Sequence, residues 1–249
     1  MVVGSAHPVR RIKRSIATVA LALSPLPSWA GPPYETDDPQ PTEHGHWEIY
    51  AFGSREGVAD DFGGSYGLDF NYGPVEDVQL TATLPVVYAN GVGSVTGDIE
   101  LGIKYRFIHN KKSGIDVAIF PRVVLPTAGR GFGTGRVSFL LPVWAQKTIG
   151  PWAIFCGGGY TINPGVGQRN FALVSIAVTR ALSSGFSLGI EASRTGANAI
   201  DARASSSVGL GASLKLNDYL AILVSGGPIF ENGARAARYR VYAALAVTF

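Results

Sequence analysis

The chain has 249 residues, 21 Lys and Arg against 18 Asp and Glu, and a single cysteine, Cys156, which excludes a disulfide scaffold and a cysteine-based zinc site. Four of the bases (Arg10, Arg11, Lys13, Arg14) lie in the first 30 residues, which hold no acid, so the rest of the chain is near neutral and has no bulk charge for gripping nucleic acid. Charged residues at 16% and 32 glycines exclude a disordered polyelectrolyte, and hydrophobics at 46% exclude a collagen-like chain.

Residues 1–30 read as an export signal: a basic stretch, an apolar run from Ile16 to Leu26, then small residues at Ser28 and Ala30. Cleavage is expected after Ala30. No later stretch has 18 uninterrupted apolar residues, so no spanning helix is expected. Residues 31–45 are rich in proline and acid (Glu35, Asp37, Asp38, Glu43) and are expected on the periplasmic side. Two readings stay open for them: a plug folded into a barrel lumen against Arg106 or Arg122, or a flexible tail.

From residue 46 to 249 the sequence alternates with period two. Twelve strands are expected, at about 46–54, 64–72, 77–88, 97–108, 115–126, 136–147, 151–161, 169–180, 186–195, 204–215, 219–226 and 238–249. In the fourth, Ile99, Leu101, Ile103, Tyr105 and Phe107 share one face, with Asp98, Glu100, Gly102, Lys104 and Arg106 on the other. Short connections (73–77, 109–114, 148–150, 181–185, 216–218) alternate with longer ones (55–63, 89–96, 127–135, 162–168, 196–203, 227–237). That is the layout of an antiparallel up-and-down outer-membrane barrel, and threading it so places aromatic side chains at both ends of the strands. In the last strand Tyr239, Val241, Ala243, Leu245, Val247 and Phe249 form an apolar face ending on a terminal Phe, the kind of strand that barrel-assembly machinery reads. Pro85, Pro121 and Pro142 fall inside expected strands and must sit near strand ends or at bulges.

The segments Gly31-Pro32-Pro33-Tyr34-Glu35-Thr36-Asp37-Asp38-Pro39 and His46-Trp47-Glu48 carry a further signal. Together with the stretch from Gly97 to Phe107, Leu125-Pro126-Thr127, and Gly157-Gly158-Gly159-Tyr160 ahead of Asn163-Pro164-Gly165, they resemble a family of bacterial outer-membrane proteins. That family is described as transporters or as components of the meta-cleavage pathway of phenol degradation. The resemblance implies a barrel, and a channel for small or aromatic compounds; it brings no catalytic residue.

The candidate functional residues are the charges of the polar face. Asp98, Glu100, Lys104 and Arg106 share one wall; Glu48, Asp69, Asp116, Arg122, Glu191, Arg238 and Arg240 join them as lumen-lining candidates. Twelve strands about 4.8 Å apart and tilted by about 40° enclose a backbone diameter of roughly 24 Å. Side chains leave ~10 Å of that, enough for a small solute unless the charges pair across the lumen and close it. His44 and His46 make a weak metal signal, and no cofactor is expected. A lipid hydrolase would need a serine beside a histidine near the outer leaflet, whereas His44, His46 and His109 all fall on the periplasmic side. A barrel without transport, acting through its loops, is the other alternative. The expected partners are outer-membrane lipid, the assembly machinery, a small solute, and lipopolysaccharide phosphates near Arg130, Arg136, Arg203 and Arg235.

Overall fold

The computed structural model describes residues 33–129, 131–133 and 135–249; the expected export signal and Arg130 lie outside them. Fourteen β segments follow one another: β1 (Trp47–Gly57), β2 (Phe62–Val75), β3 (Val78–Ala89), β4 (Gly93–Thr96), β5 (Ile99–Asn110), β6 (Ile115–Ile119) and β7 (Arg122–Leu125), then β8 (Ser138–Ile149), β9 (Trp152–Ile162), β10 (Phe171–Ser183), β11 (Phe186–Thr195), β12 (Ser205–Lys215), β13 (Leu220–Glu231) and β14 (Arg238–Thr248). The pair β4 and β5 is one stave broken at Gly97-Asp98, and both halves pair with β3. The pair β6 and β7 is a second, broken at Phe120-Pro121, and both halves pair with β8. The result is twelve staves, each antiparallel to its neighbours, with β14 closing onto β1. Closure leaves no unpaired sheet edge, the condition for strands to cross hydrocarbon.

The burial pattern inverts that of a soluble protein. Lys104 is 2% exposed, and Glu48, Asn71, Gln79, Gln146 and Glu191 are also buried. Leu210 is 68% exposed, along with Leu68, Ile103, Val143, Ile190 and Val224. Apolar side chains outside and polar ones inside are what a hydrocarbon solvent demands. Rings cluster at both rims: Trp47 stacks on Tyr72 at 4.6 Å near the chain ends, and Tyr66 lies 6.3 Å from Tyr88 at the other rim. Leu210 sits midway along β12 on this outer wall. Leu210→Arg is therefore expected to lower folding stability in lipid vesicles by roughly 2–4 kcal/mol, measured by reversible urea unfolding.

The prolines explain the breaks. Pro121 falls in the gap between β6 and β7. Pro85 and Pro142 remain inside β3 and β8, but the Pro85 carbonyl accepts from Gly97 N–H (2.8 Å) and the Pro142 carbonyl from Phe120 N–H (3.1 Å). In an antiparallel ladder the N and C=O of one residue point to the same neighbour, so each missing N–H faces a gap where little is lost. Glycine stands opposite each: Gly67 pairs with Pro85 and Gly159 with Pro142. A Cβ on Gly67 would lie 2.2 Å from the Leu84 carbonyl oxygen, and one on Gly159 2.9 Å from Pro142 Cα.

Two expected long loops are tight turns instead. β1 runs on to Gly57 and β2 starts at Phe62, while β4 folds back on β3 with Gly93 opposite Ala89. Positive φ at Gly91 (75°) and Gly93 (102°) allows that reversal. β13 is likewise longer than its sequence suggested, pairing as far as Ile229 with β14 and Glu231 with β12. The last strand is locked at its end, where Phe249 and Trp47 exchange both backbone hydrogen bonds (2.8 and 3.0 Å).

Candidate functional site: the lumen and the segment inside it

Period two sends one row of side chains from each stave into the lumen. On β13 and β14 it includes the apolar cluster Ala221, Leu223, Ala244 and Ala246, and on β1 to β3 it is largely polar and forms a continuous network. Asn71 Oδ1 accepts from Gln79 Nε2 (2.6 Å) and Thr81 Oγ1 (2.7 Å), while Thr83 Oγ1 donates to Asp69 (2.7 Å). Tyr50 donates to Glu48 at 3.0 Å. On the adjoining wall, Lys104 of β5 and Arg122 of β7 flank the ring of Phe120, at 4.9 and 4.1 Å from its centroid.

Residues 33–42 lie within this ring of side chains and satisfy much of its charge, and residues 43–46, exposed, lead back to the wall. Asp37 bridges Lys104 and Arg122 at 3.0 Å each, and Asp38 lies 3.9 Å from Lys104. Thr36 gives both its N–H (2.6 Å) and its hydroxyl (2.7 Å) to Glu191 Oε1 of β11. Glu35 pairs with Arg240 of β14 and accepts from Ser193 Oγ. Farther on, Gln40 reaches Gln146 (3.4 Å) and Thr42 binds Gln79 through N–H (2.9 Å) and hydroxyl (3.2 Å). Gly45 N–H then meets the Gly73 carbonyl oxygen at 2.7 Å, where the segment joins the wall. Thr36 and Asp38 are among the most deeply buried residues of the chain. Burial first, and the Glu191 carboxylate second, push the Tyr34 phenol above its ordinary pKa.

Tyr34 rests on glycines. A Cβ on Gly211 would fall 2.3 Å from Tyr34 Cε1, with no other atom within that distance of it, and one on Gly189 would fall 2.5 Å from the Tyr34 hydroxyl. Gly211→Ala is expected to unseat Tyr34 and speed proteolysis within residues 33–46 of the folded barrel. An unchanged cleavage rate would show that the ring simply shifts aside.

The sequence-derived candidates separate into groups. Glu48, Asp69, Glu100, Lys104, Arg122, Glu191 and Arg240 come together around the inserted segment. Arg106 does not meet that segment: Asp77, in the turn after β2, takes it at 2.6 Å. Asp116 lies 4.0 Å from Arg106 and 2.5 Å from His109 Nδ1, near the short-turn end. Arg238 stands at the opposite mouth, between Glu231 (3.0 Å) and Glu56 (3.5 Å). Asp98 leaves the wall it was expected to share. It occupies the gap between β4 and β5 and accepts from Ala128 N–H at 2.8 Å, pinning the loop after β7. His46 Nδ1 lies 3.1 Å from the His44 carbonyl oxygen, and no metal-binding cluster occurs among the described residues. Arg203 donates to the Asn232 carbonyl oxygen at 3.3 Å.

Two cavities border the inserted segment. One, of about 360 Å³, is bounded by Tyr34, Glu35, Asp37, Glu48, Asp69 and Arg122. The other, of about 460 Å³, opens beneath the longer loops between Ser193, Asp201, Glu231 and Arg238. Glu35 borders both.

A closed twelve-stranded antiparallel barrel with an apolar outer wall and a polar lumen is the architecture of the outer-membrane channels. No family model matches the sequence, and no curated protein matches it. Among solved structures, an outer-membrane channel from Pseudomonas putida F1 aligns with a TM-score of 0.71 at 15% identity, over 85% of this chain and 98% of that one. The KdgM porin aligns with a TM-score of 0.57 at 11% identity, and its complex with disordered oligogalacturonate at 0.59 and 9%, each over 81% of this chain and 99% of that one. At such identities the likeness is one of fold.

Proposed function

We propose that this chain is an outer-membrane channel for small solutes, narrowed by its own residues 33–46 acting as a plug. The observation that carries the reading is the pair of cavities in the lumen, one beneath the longer loops, that Glu35 of the inserted segment borders on both sides. The channel and porin neighbours support it and favour a non-enzymatic role. The plug is held mainly by hydrogen bonds and ion pairs, with Pro33, Tyr34 and Pro39 as its packed apolar part, so most of what it gives up on leaving for water is replaced by hydration. In this reading the lipid partners meet the apolar wall, and the exposed Arg55 and Arg194 near the long-loop rim suit lipopolysaccharide phosphates. Aromatic compounds, which the family resemblance implies, would pass beside Tyr50, Phe120 and Tyr242 in the deeper cavity.

The test is conductance of the full chain in planar bilayers, alongside variants that loosen the plug. A small steady current in the native protein and a larger one in the variants is expected. No current from any of them, with the barrel folded, would favour a barrel without transport, a reading that the dense anchoring of residues 35–42 also accommodates.

A further inference from the structure

We infer that the path through this barrel favours cations, organic ammonium ions included, over anions; the inference rests on the channel reading. The cavity beneath the loops is lined by Glu35, Glu56, Asp201 and Glu231 against Arg203 and Arg238. The deeper cavity sets Glu35, Asp37, Glu48, Asp69 and Glu100 against Lys104, Arg122 and Arg240. Carboxylates outnumber cationic side chains in both.

Pairing decides what is left over. Arg238 lies between Glu231 and Glu56, and Arg240 between Glu35 and Glu191. Lys104 and Arg122 share Asp37, and Arg122 also holds Glu100 at 3.1 Å. The positive charges of the deeper cavity are thus already engaged by carboxylates. The converse does not hold. Asp69 is met by the Thr83 hydroxyl and the Asn71 amide, Glu48 by the Tyr50 hydroxyl, and Asp201 has no ion-pair partner among the described residues. A carboxylate accepts several hydrogen bonds at once, so these three keep acceptor capacity for an entering cation. An entering anion meets guanidinium groups of which Arg122, Arg238 and Arg240 already face carboxylates, leaving Arg122 Nε and Arg203 as the donors outside those ion pairs, and the carboxylates still outnumber the cations in each cavity. The low-dielectric wall focuses the excess negative charge along the path rather than letting water disperse it.

A second observation narrows the class. The rings of Tyr34, Tyr50, Phe120 and Tyr242 border the same deeper cavity as Glu48 and Asp69. Phe120 already lies beside an ammonium and a guanidinium of the protein itself. Aromatic rings next to carboxylates suit alkylammonium groups, which bind ring faces as well as charge.

The experiment is the zero-current potential of the full chain in a planar bilayer under a KCl gradient of about tenfold. A potential of the sign set by K⁺ is expected, moved toward zero in Asp201→Asn and Asp69→Asn. A potential of zero or of the sign set by Cl⁻ would overturn the inference. Should the folded protein carry no current, the channel reading itself fails, and equilibrium binding decides the charge preference separately. Titration calorimetry of the detergent-solubilised barrel is expected to give at least severalfold tighter binding of hexaamminecobalt(III) than of hexacyanoferrate(III). Equal or reversed affinities would overturn the inference whatever the current.

Discussion

Glu191→Ala is expected to raise the unitary conductance severalfold and to expose residues 33–46 to protease. Glu191 is 4% exposed on β11, and one of its oxygens takes both hydrogen bonds from Thr36 while the other faces Arg240 at 3.4 Å. Alanine removes both acceptor roles at once. It leaves a buried N–H and hydroxyl on Thr36 without partners, a cost of about 1–3 kcal/mol for each group. It also leaves Arg240 with Glu35 as its remaining carboxylate. The docked state loses several kcal/mol, whereas the undocked state, with Thr36 in water, loses almost nothing. A shift of about 1.4 kcal/mol already changes the docked-to-undocked ratio tenfold, so the loss expected here moves the population decisively. Glu191→Gln keeps one acceptor oxygen for Thr36 and is expected to show a smaller effect. Native-like conductance and proteolysis in Glu191→Ala would mean that the segment is held by its other end, through Asp37 and Thr42.

Lys104→Met is the second large effect. The ammonium group is buried between Asp37 and Asp38 and lies near Phe120. Methionine keeps the volume and removes the charge, so two carboxylates stay in a low-dielectric site with Arg122 as their main counterion. Breaking a buried pair in this way typically costs about 3–5 kcal/mol. The barrel need not bear that cost, because the carboxylates belong to the segment and can leave with it. The expected outcome is an undocked segment, seen as faster cleavage and higher conductance, with the urea midpoint of the barrel moved little. Adding Asp37→Asn is expected to recover part of the docking, since two partners in one network do not contribute additively. A lowered barrel midpoint with the segment still protected would count against the proposed division of labour.

The strands and their inward charges could be read from the sequence because period two is a direct consequence of strand geometry, and lipid outside makes the apolar row unusually clean. Of the row Ile99, Leu101, Ile103, Tyr105 and Phe107, the last four are exposed and Ile99 is half-buried, and the alternation ends at the bulge between Arg106 and Ile108. Inward aromatic residues were not legible. Trp144, Phe155 and Phe120 are buried in the lumen although a polar interior gives no reason to expect them, and their strands simply look apolar on both faces. The turns at 58–61 and 90–92 were hidden because glycine signals both a flexible loop and a tight reversal. The acidic residues of the N-terminal segment are visible in the sequence, and of the two basic partners it offers for them, Arg106 and Arg122, the second lies 3.0 Å from Asp37. Arg106 was not distinguishable from it, because only the folded register shows that Asp77 lies beside it. Glu191 and Thr36 are 155 positions apart, and nothing local in either stretch announces their meeting.

The two interrupted staves have a mechanical consequence. Ladder pairing is interrupted at Gly97-Asp98 and Phe120-Pro121, where the bonds from Gly97 to Pro85 and from Phe120 to Pro142 still cross, and both breaks lie in one sector between β3 and β8. Breathing of the sheet concentrates where cross-strand bonds are sparse. Asp37 fastens this same sector from within, gripping Lys104 below one interruption and Arg122 just past the other. Withdrawal of that carboxylate slackens the cylinder along one flank, so the wall stiffens when the interior is filled and yields when it empties.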